Sequence, residues 1–71
     1  MTTAVGRLRS WAIDSRGTVN FYRRADGVWF VTAAREGVFN FQFESAAADD
    51  PEKAAQEIVD RLIQVGEELP A

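Results

Sequence analysis

The stretch Asp14–Glu44, DSRGTVNFYRRADGVWFVTAAREGVFNFQFE, decides the fold, because three glycines divide it at intervals of ten residues. Gly17, Gly27 and Gly37 each end a short polar cluster and precede a run rich in β-branched and aromatic residues. This pattern is typical of successive hairpins with glycine in the left-handed position of the turn. It predicts a four-stranded antiparallel meander, with strands near residues 6–14, 18–24, 28–34 and 38–44 and a positive φ at each glycine.

The predicted turns also set the register, since paired residue numbers have a constant sum along an antiparallel pair. The sums are 32, 52 and 72 for the three hairpins in chain order. This register places one large apolar set on a single face of the sheet. Its members are Trp11, Ile13, Val19, Phe21, Trp29, Val31, Ala33, Phe39, Phe41 and Phe43.

The residues after the meander predict one amphipathic helix near residues 51–66. Asp50 is a favourable N-cap, Pro51 suits the first helical position, and Gly66 suits the end. At 100° per residue, one stripe of the helix is apolar and the opposite side is charged. The stripe contains Ala55, Ile58, Val59, Leu62, Gly66 and Leu69.

The apolar stripe and the apolar sheet face are expected to bury each other. The sequence therefore predicts a single α+β domain over residues 1–71, with a two-layer ββββα fold. One C-terminal helix covers one face of the sheet, and both termini, Met1–Ala4 and Glu67–Ala71, are expected to be loose. Six side chains are expected to form the centre of the core: Trp11, Phe21, Trp29, Phe41, Val59 and Leu62.

The composition limits the chemistry that the chain can perform. The 71 residues include no cysteine and no histidine, which excludes thiol and imidazole chemistry and the usual zinc ligands. No apolar stretch approaches the ~18 residues of a membrane span, and the N-terminus lacks a signal-peptide pattern. We therefore expect a cytoplasmic protein that is not an enzyme and has no cofactor, bound metal, membrane contact or small-molecule substrate.

The charge is divided between the two halves of the chain. Residues 1–37 carry six cationic and three anionic side chains, whereas residues 38–71 carry two and eight. The predicted sheet is therefore basic and the predicted helix acidic, so each could meet a partner of opposite charge.

The face of the sheet that the helix leaves uncovered is the predicted binding site. Two aromatic side chains, Tyr22 and Phe30, lie side by side there on the central strands, amid small amides and hydroxyls. Such a surface favours recognition of a partner. The candidate partner-binding residues are Asn20, Tyr22, Arg24, Phe30, Thr32, Asn40 and Gln42. The last strand, Val38–Phe43, is a second candidate because it is an edge strand without charge or proline.

Three functions follow from these features. The first is a small non-catalytic interaction module that binds a protein partner, or a second copy as a homodimer, through the uncovered face or the last edge strand. The second is a nucleic-acid-binding domain that uses the arginine, asparagine and glutamine side chains of that face. The third is a small acidic inhibitor of the type that mobile elements encode, in which the carboxylates of the helix meet a basic protein.

Overall fold

A computed structural model describes residues 3–70 of the chain. In chain order it contains α1 (Ala4–Ser15), β1 (Thr18–Arg23), β2 (Trp29–Glu36), β3 (Phe41–Ala48) and α2 (Pro51–Gln64). The strands form one antiparallel sheet in the order β1-β2-β3, and both helices pack against the same face of it. The α+β class is therefore confirmed, but the ββββα prediction is wrong, because the fold is αβββα.

The first predicted strand, residues 6–14, is part of α1. The Thr3 hydroxyl caps this helix by accepting a hydrogen bond of 2.9 Å from the Gly6 N–H. The side chains that α1 buries recur at helical spacing, whereas Ile13, which the strand prediction placed in the core, is 78% exposed. A helix is favoured here because it buries four residues on one side: Ala4, Leu8, Trp11 and Ala12.

The start of α1 is held by a carboxylate from α2. Glu52 accepts hydrogen bonds from the Ala4 N–H at 2.6 Å and from the Val5 N–H at 3.1 Å. These N–H groups have no partner within their own helix, and a negative charge is favourable at a helix N-terminus. The two helices therefore begin at the same end of the domain. The prediction of a loose N-terminus is wrong from Thr3 onward, and Met1 and Thr2 lie outside the described residues.

The predicted register is confirmed between β1 and β2 and wrong between β2 and β3. Phe21 pairs with Val31, so the sum is 52 as expected. Glu36 pairs with Phe41, so the second sum is 77 rather than 72. Because this shift of five is an odd number, every side chain of β3 lies on the face opposite to the predicted one.

Two features explain the shift in β3. The connection from β2 is a longer turn than predicted, closed by a hydrogen bond of 2.6 Å from the Gly37 N–H to the Asn40 carbonyl. The alanine-rich end of β3 is strand rather than the predicted connection, because Ala46 is 7% exposed and packs in the core formed with α2. Tertiary packing thus outweighs the low strand propensity of alanine.

Only one of the three predicted turn glycines has a positive φ, namely Gly27 at 87°. Gly17 follows the end of α1, where Arg16 is the left-handed residue at φ 58°. A Cβ atom at Gly17 would collide with the carbonyl oxygen of Ala34, so the glycine allows a close approach of two backbones. The prediction for Gly17 and Gly37 is therefore wrong, since neither has a positive φ.

The core lies between the helices and the sheet. Its largest fully buried side chains are aliphatic, and small alanines on β2, β3 and α2 let the layers approach closely. The predicted burial of Trp11, Val59 and Leu62 is confirmed, whereas Phe21 and Trp29 are half-buried. Phe41 is 59% exposed, so its place in the predicted core is wrong.

Both predicted ends of the C-terminal helix are close to those observed. The Asp50 carboxylate accepts hydrogen bonds of 2.7 and 3.3 Å from the N–H groups of Glu52 and Lys53, as an N-cap does. The helix ends at Gln64, and Gly66 follows at φ 90°, a conformation that glycine adopts without strain.

The segment after α2 is fastened to α1 and β2 rather than loose. The Glu67 carboxylate accepts hydrogen bonds from the Arg35 guanidinium, one at 2.6 Å, and from the Trp11 indole N–H at 3.2 Å. Arg7 donates to the Pro70 carbonyl at 2.9 Å. The ion pair with Arg35 holds the pKa of Glu67 below its usual range. The loose C-terminus is therefore wrong through Pro70; Ala71 lies outside the described residues.

Candidate functional site

The sheet face that neither helix covers is called the open face below. Side chains alternate between the two faces along a strand, so the register assigns each residue to one of them. The open face contains Thr18, Asn20 and Tyr22 from β1, Phe30, Thr32, Ala34 and Glu36 from β2, and Phe41, Phe43, Ser45 and Ala47 from β3.

Three aromatic side chains on the open face are largely exposed to solvent. The exposed fraction is 63% for Tyr22, 59% for Phe41 and 53% for Phe43. All three lie on strands, whose backbone is held by the hydrogen-bonded ladder, so their positions are set before any partner arrives. Exposed aromatic side chains grouped on one rigid surface are typical of an interaction site.

Phe30 lies next to Tyr22 but is half-buried, because the Arg24 guanidinium covers its ring at 5.2 Å from the centroid. Arg24 is also paired with Asp26 in the β1–β2 turn. Asp26 accepts a hydrogen bond of 3.1 Å from the Val28 N–H, and its pKa is lowered chiefly by the hydrogen bond from Arg24. Arg24 therefore serves its own turn and contacts the Phe30 ring, while its side chain remains 47% exposed.

The structure brings together four of the seven predicted site residues. Asn20, Tyr22, Phe30 and Thr32 lie in neighbouring rows of the open face, as the confirmed β1–β2 register requires. Arg24 follows the end of β1 and contacts Phe30 from the side of the turn.

The other two predicted residues are not on the open face, because the β2–β3 register differs from the predicted one. Asn40 is in the turn, where its side-chain oxygen accepts a hydrogen bond of 3.2 Å from Arg35. Gln42 pairs with Arg35 in the ladder and lies on the helix-covered face. Their inclusion in a single surface with Tyr22 was therefore wrong.

Sequence reasoning did not place Phe41 and Phe43 on the open face, although it included both in the second candidate, the last edge strand Val38–Phe43. Their alternation with Asn40, Gln42 and Glu44 assigns them to one face but does not say which. The informative signal was Ser45-Ala-Ala-Ala48, whose small side chains suit a strand beneath a closely packed helix. Val38 and Phe39, which the same prediction assigned to that strand, lie instead in the β2–β3 turn, where they are 89% and 99% exposed.

A shallow depression of about 280 Å³ adjoins the exposed ring of Phe41. Its lining consists of Arg16, Gly17, Thr18, Ala34, Arg35, Glu36 and Phe41. Its mixed polar and apolar lining could accept one side chain of a partner that lies across the aromatic residues.

Within residues 3–70, no cluster of three or more carboxylates is placed to hold a metal ion. Neither described helix is long and apolar enough to cross a membrane. Comparison with models of protein families, with curated proteins and with solved structures finds no match for this chain.

Proposed function

We propose that this domain is a non-catalytic interaction module that binds a protein partner through its open face. The observation that carries the proposal is the exposure of Tyr22, Phe41 and Phe43 on one side of a sheet whose other side is filled by two helices. Tyrosine and phenylalanine are enriched in protein interfaces, where they bury a large area at low cost in conformational entropy.

The charge of the open face supports a protein partner. Among the open-face residues of the strands only Glu36, at one end of β2, is formally charged, and the one cation that covers part of this face, Arg24, is paired with Asp26. The centre of the surface combines aromatic rings with hydroxyl and amide groups from Asn20, Thr32 and Ser45. A largely uncharged, aromatic centre is typical of protein interfaces.

The same charge pattern gives less support to nucleic acid as the partner. Phosphate binding depends on free cationic side chains, but the arginine that covers Phe30, Arg24, is paired with Asp26, and the register assigns Arg23 to the opposite face of the sheet. The third alternative, an acidic inhibitor, relies on the solvent side of α2. There Lys53 and Arg61 partly neutralise the carboxylates of neighbouring residues.

The test compares a double variant of the open face with the unaltered chain. Proteins captured from the source cell, with and without nuclease, are identified by mass spectrometry, and the captured protein is then purified for affinity measurement. Tyr22→Ser combined with Phe43→Thr should weaken that affinity by about a thousandfold, since each ring acts as an anchor worth roughly 2 kcal/mol.

The matched control is Ile13→Thr, which removes a side chain that is 78% exposed on α1, away from the open face. We expect this variant to bind the captured protein as tightly as the unaltered chain does. Equal affinity of the double variant and the unaltered chain would contradict the proposal, as would capture that disappears with nuclease treatment.

A further inference from the structure

The hydrogen-bond pattern inside the sheet determines which residues of the edge strand β3 direct their backbone groups outward. The Arg24 N–H donates to the Val28 carbonyl at 2.8 Å, which fixes the alternation of hydrogen bonds between β1 and β2. Trp29, Val31, Ala33 and Arg35 therefore direct their backbone groups toward β3. By the same alternation, the residues of β3 that direct their N–H and C=O groups outward are Phe41, Phe43, Ser45 and Ala47.

One side chain already covers part of this outer edge. Arg61 of α2 donates a hydrogen bond of 2.6 Å to the Ser45 carbonyl, and it lies 3.8 Å from the Glu44 carboxylate. Within residues 3–70, no other side chain donates to a β3 carbonyl. The edge is therefore protected at Ser45, whereas the N–H and C=O groups of Phe41 and Phe43 remain available.

The segment Phe41–Phe43 also lacks the charged side chains that usually prevent edge strands from pairing. The outer edge of β1 is different, since Arg23 lies on that strand and the Arg9 guanidinium is 5.4 Å from the ring centroid of Phe21. Pairing of two β1 strands would bring these cations together. The β3 edge is thus the one that can meet its own copy without repulsion.

We propose that a second copy of this chain pairs antiparallel with β3, with the two Gln42 residues opposite each other on a two-fold axis. In this register the N–H of Phe41 donates to the C=O of Phe43 in the second copy, and the C=O of Phe41 accepts from the N–H of that Phe43. The two-fold axis repeats both hydrogen bonds between Phe43 of the first copy and Phe41 of the second. The hydrogen bond from Arg61 to Ser45 is retained. The two sheets become one, and the phenylalanine rings of both copies form a continuous row on the joined open faces.

Charge and hydrogen bonding favour this register over its neighbours. A pair centred on Glu44 would place two carboxylates directly opposite each other, which is destabilising. A pair centred on Phe43 or Ser45 would require the backbone of Ser45 and therefore displace Arg61. Only the pair centred on Gln42 uses the free part of the edge and places uncharged amides at the axis.

This inference goes beyond the proposed function, because it concerns the edge of β3 and a second copy rather than the open face and another protein. Gln42 lies on the helix-covered face, so a change there leaves the aromatic residues of the open face in place. A variant that no longer dimerises but still binds its partner would therefore separate the two proposals.

The test is a charge complementation at the axis. Mass is measured by sedimentation and native mass spectrometry, from micromolar to millimolar concentration, for the unaltered chain, Gln42→Lys and Gln42→Glu. The unaltered chain should dimerise with rising concentration. Each variant alone should dimerise about tenfold or more weakly, because like charges meet across the axis. An equal mixture of the two variants should restore a dimer with one copy of each.

The matched control is the pair Gln56→Lys and Gln56→Glu, which makes the same charge changes on the exposed side of α2. These variants should dimerise as the unaltered chain does. Formation of the mixed dimer also shows that the Gln42 variants fold. A monomeric unaltered chain at millimolar concentration would overturn the inference, as would unchanged dimerisation of Gln42→Lys alone or a mixture that fails to form the mixed dimer.

Discussion

The two faces of the sheet differ in a way that reverses the usual relation between side-chain size and burial. The helix-covered face is built around Val31, Ala33 and Ala46, which are all nearly inaccessible to solvent. The open face carries the larger rings of Phe41 and Phe43, each more than half exposed. The bulkiest apolar residues of β3 are thus exposed, whereas the residue that this strand buries, Ala46, is small.

The difference shows what this core requires. Two helices lie on a three-stranded sheet, and Ala54 and Ala55 of α2 are fully buried in that layer. Small side chains on both layers permit close packing. Large rings on the helix-covered face of β3 would therefore force the helices away from the sheet. The rings are therefore available for contacts outside the domain.

The largest expected effect comes from truncating one side chain in each region. Leu62→Ala should lower the free energy of unfolding by about 2–5 kcal/mol, because Leu62 is fully buried and the change leaves a cavity. Phe43→Ala should lower it by less than about 1 kcal/mol, since the ring is largely in water already. Denaturant unfolding of both variants checks the contrast, and similar losses for the two would refute it.

An enlargement of neighbouring alanines should produce a somewhat smaller contrast. Ala46→Leu adds volume beneath the helices and should cost about 1–3 kcal/mol. Ala47→Leu makes the same change one residue later on the open face, where it should be nearly neutral. Thermal unfolding of the two variants measures the difference. A greater loss from Ala47→Leu would mean that the two faces of β3 are exchanged.

A smaller effect is expected from the ion pair between Arg35 of β2 and Glu67, which follows α2. The pKa of Glu67 is lower in the folded chain than its ordinary value of about 4.3, chiefly because of Arg35. Its contribution to stability is therefore complete above that ordinary value and is lost as the pH falls through the lower, folded pKa.

Glu67→Gln isolates this contribution, because the amide does not titrate. We expect the unaltered chain to be more stable than the variant at neutral pH. The difference between their free energies of unfolding should decrease as the pH falls below about 4. Unfolding measured across the acidic range provides the comparison. If this difference in unfolding free energy stays constant with pH, the charge of the Glu67 carboxylate is not its source.

The sequence was sufficient to predict the elements whose signals are local. Asp50 and Pro51 mark the start of α2, and the turn around Gly27 sets the β1–β2 register, because hydrogen bonds within a few residues determine both. Asn20 and Tyr22 were consequently assigned to the correct face.

The remaining errors arose where tertiary packing decides. Trp11 and Ile13 alternate as in a strand, yet Leu8, Trp11 and Ala12 also recur as in a helix, and only the presence of α2 favours the second pattern. The phenylalanines of β3 fit either face by alternation alone. Their position depends on how closely α2 approaches Ala46, which no local pattern reports.

The central claim is that β3 pairs with β2 in the register that displays Phe41 and Phe43 on the open face. The most direct measurement is the pattern of cross-strand nuclear Overhauser effects between Hα protons, which come closest in pairs that are not hydrogen-bonded. This register predicts strong effects between Ala34 and Phe43 and between Thr32 and Ser45. An effect between Thr32 and Asn40 instead would move the phenylalanines to the covered face and contradict the claim.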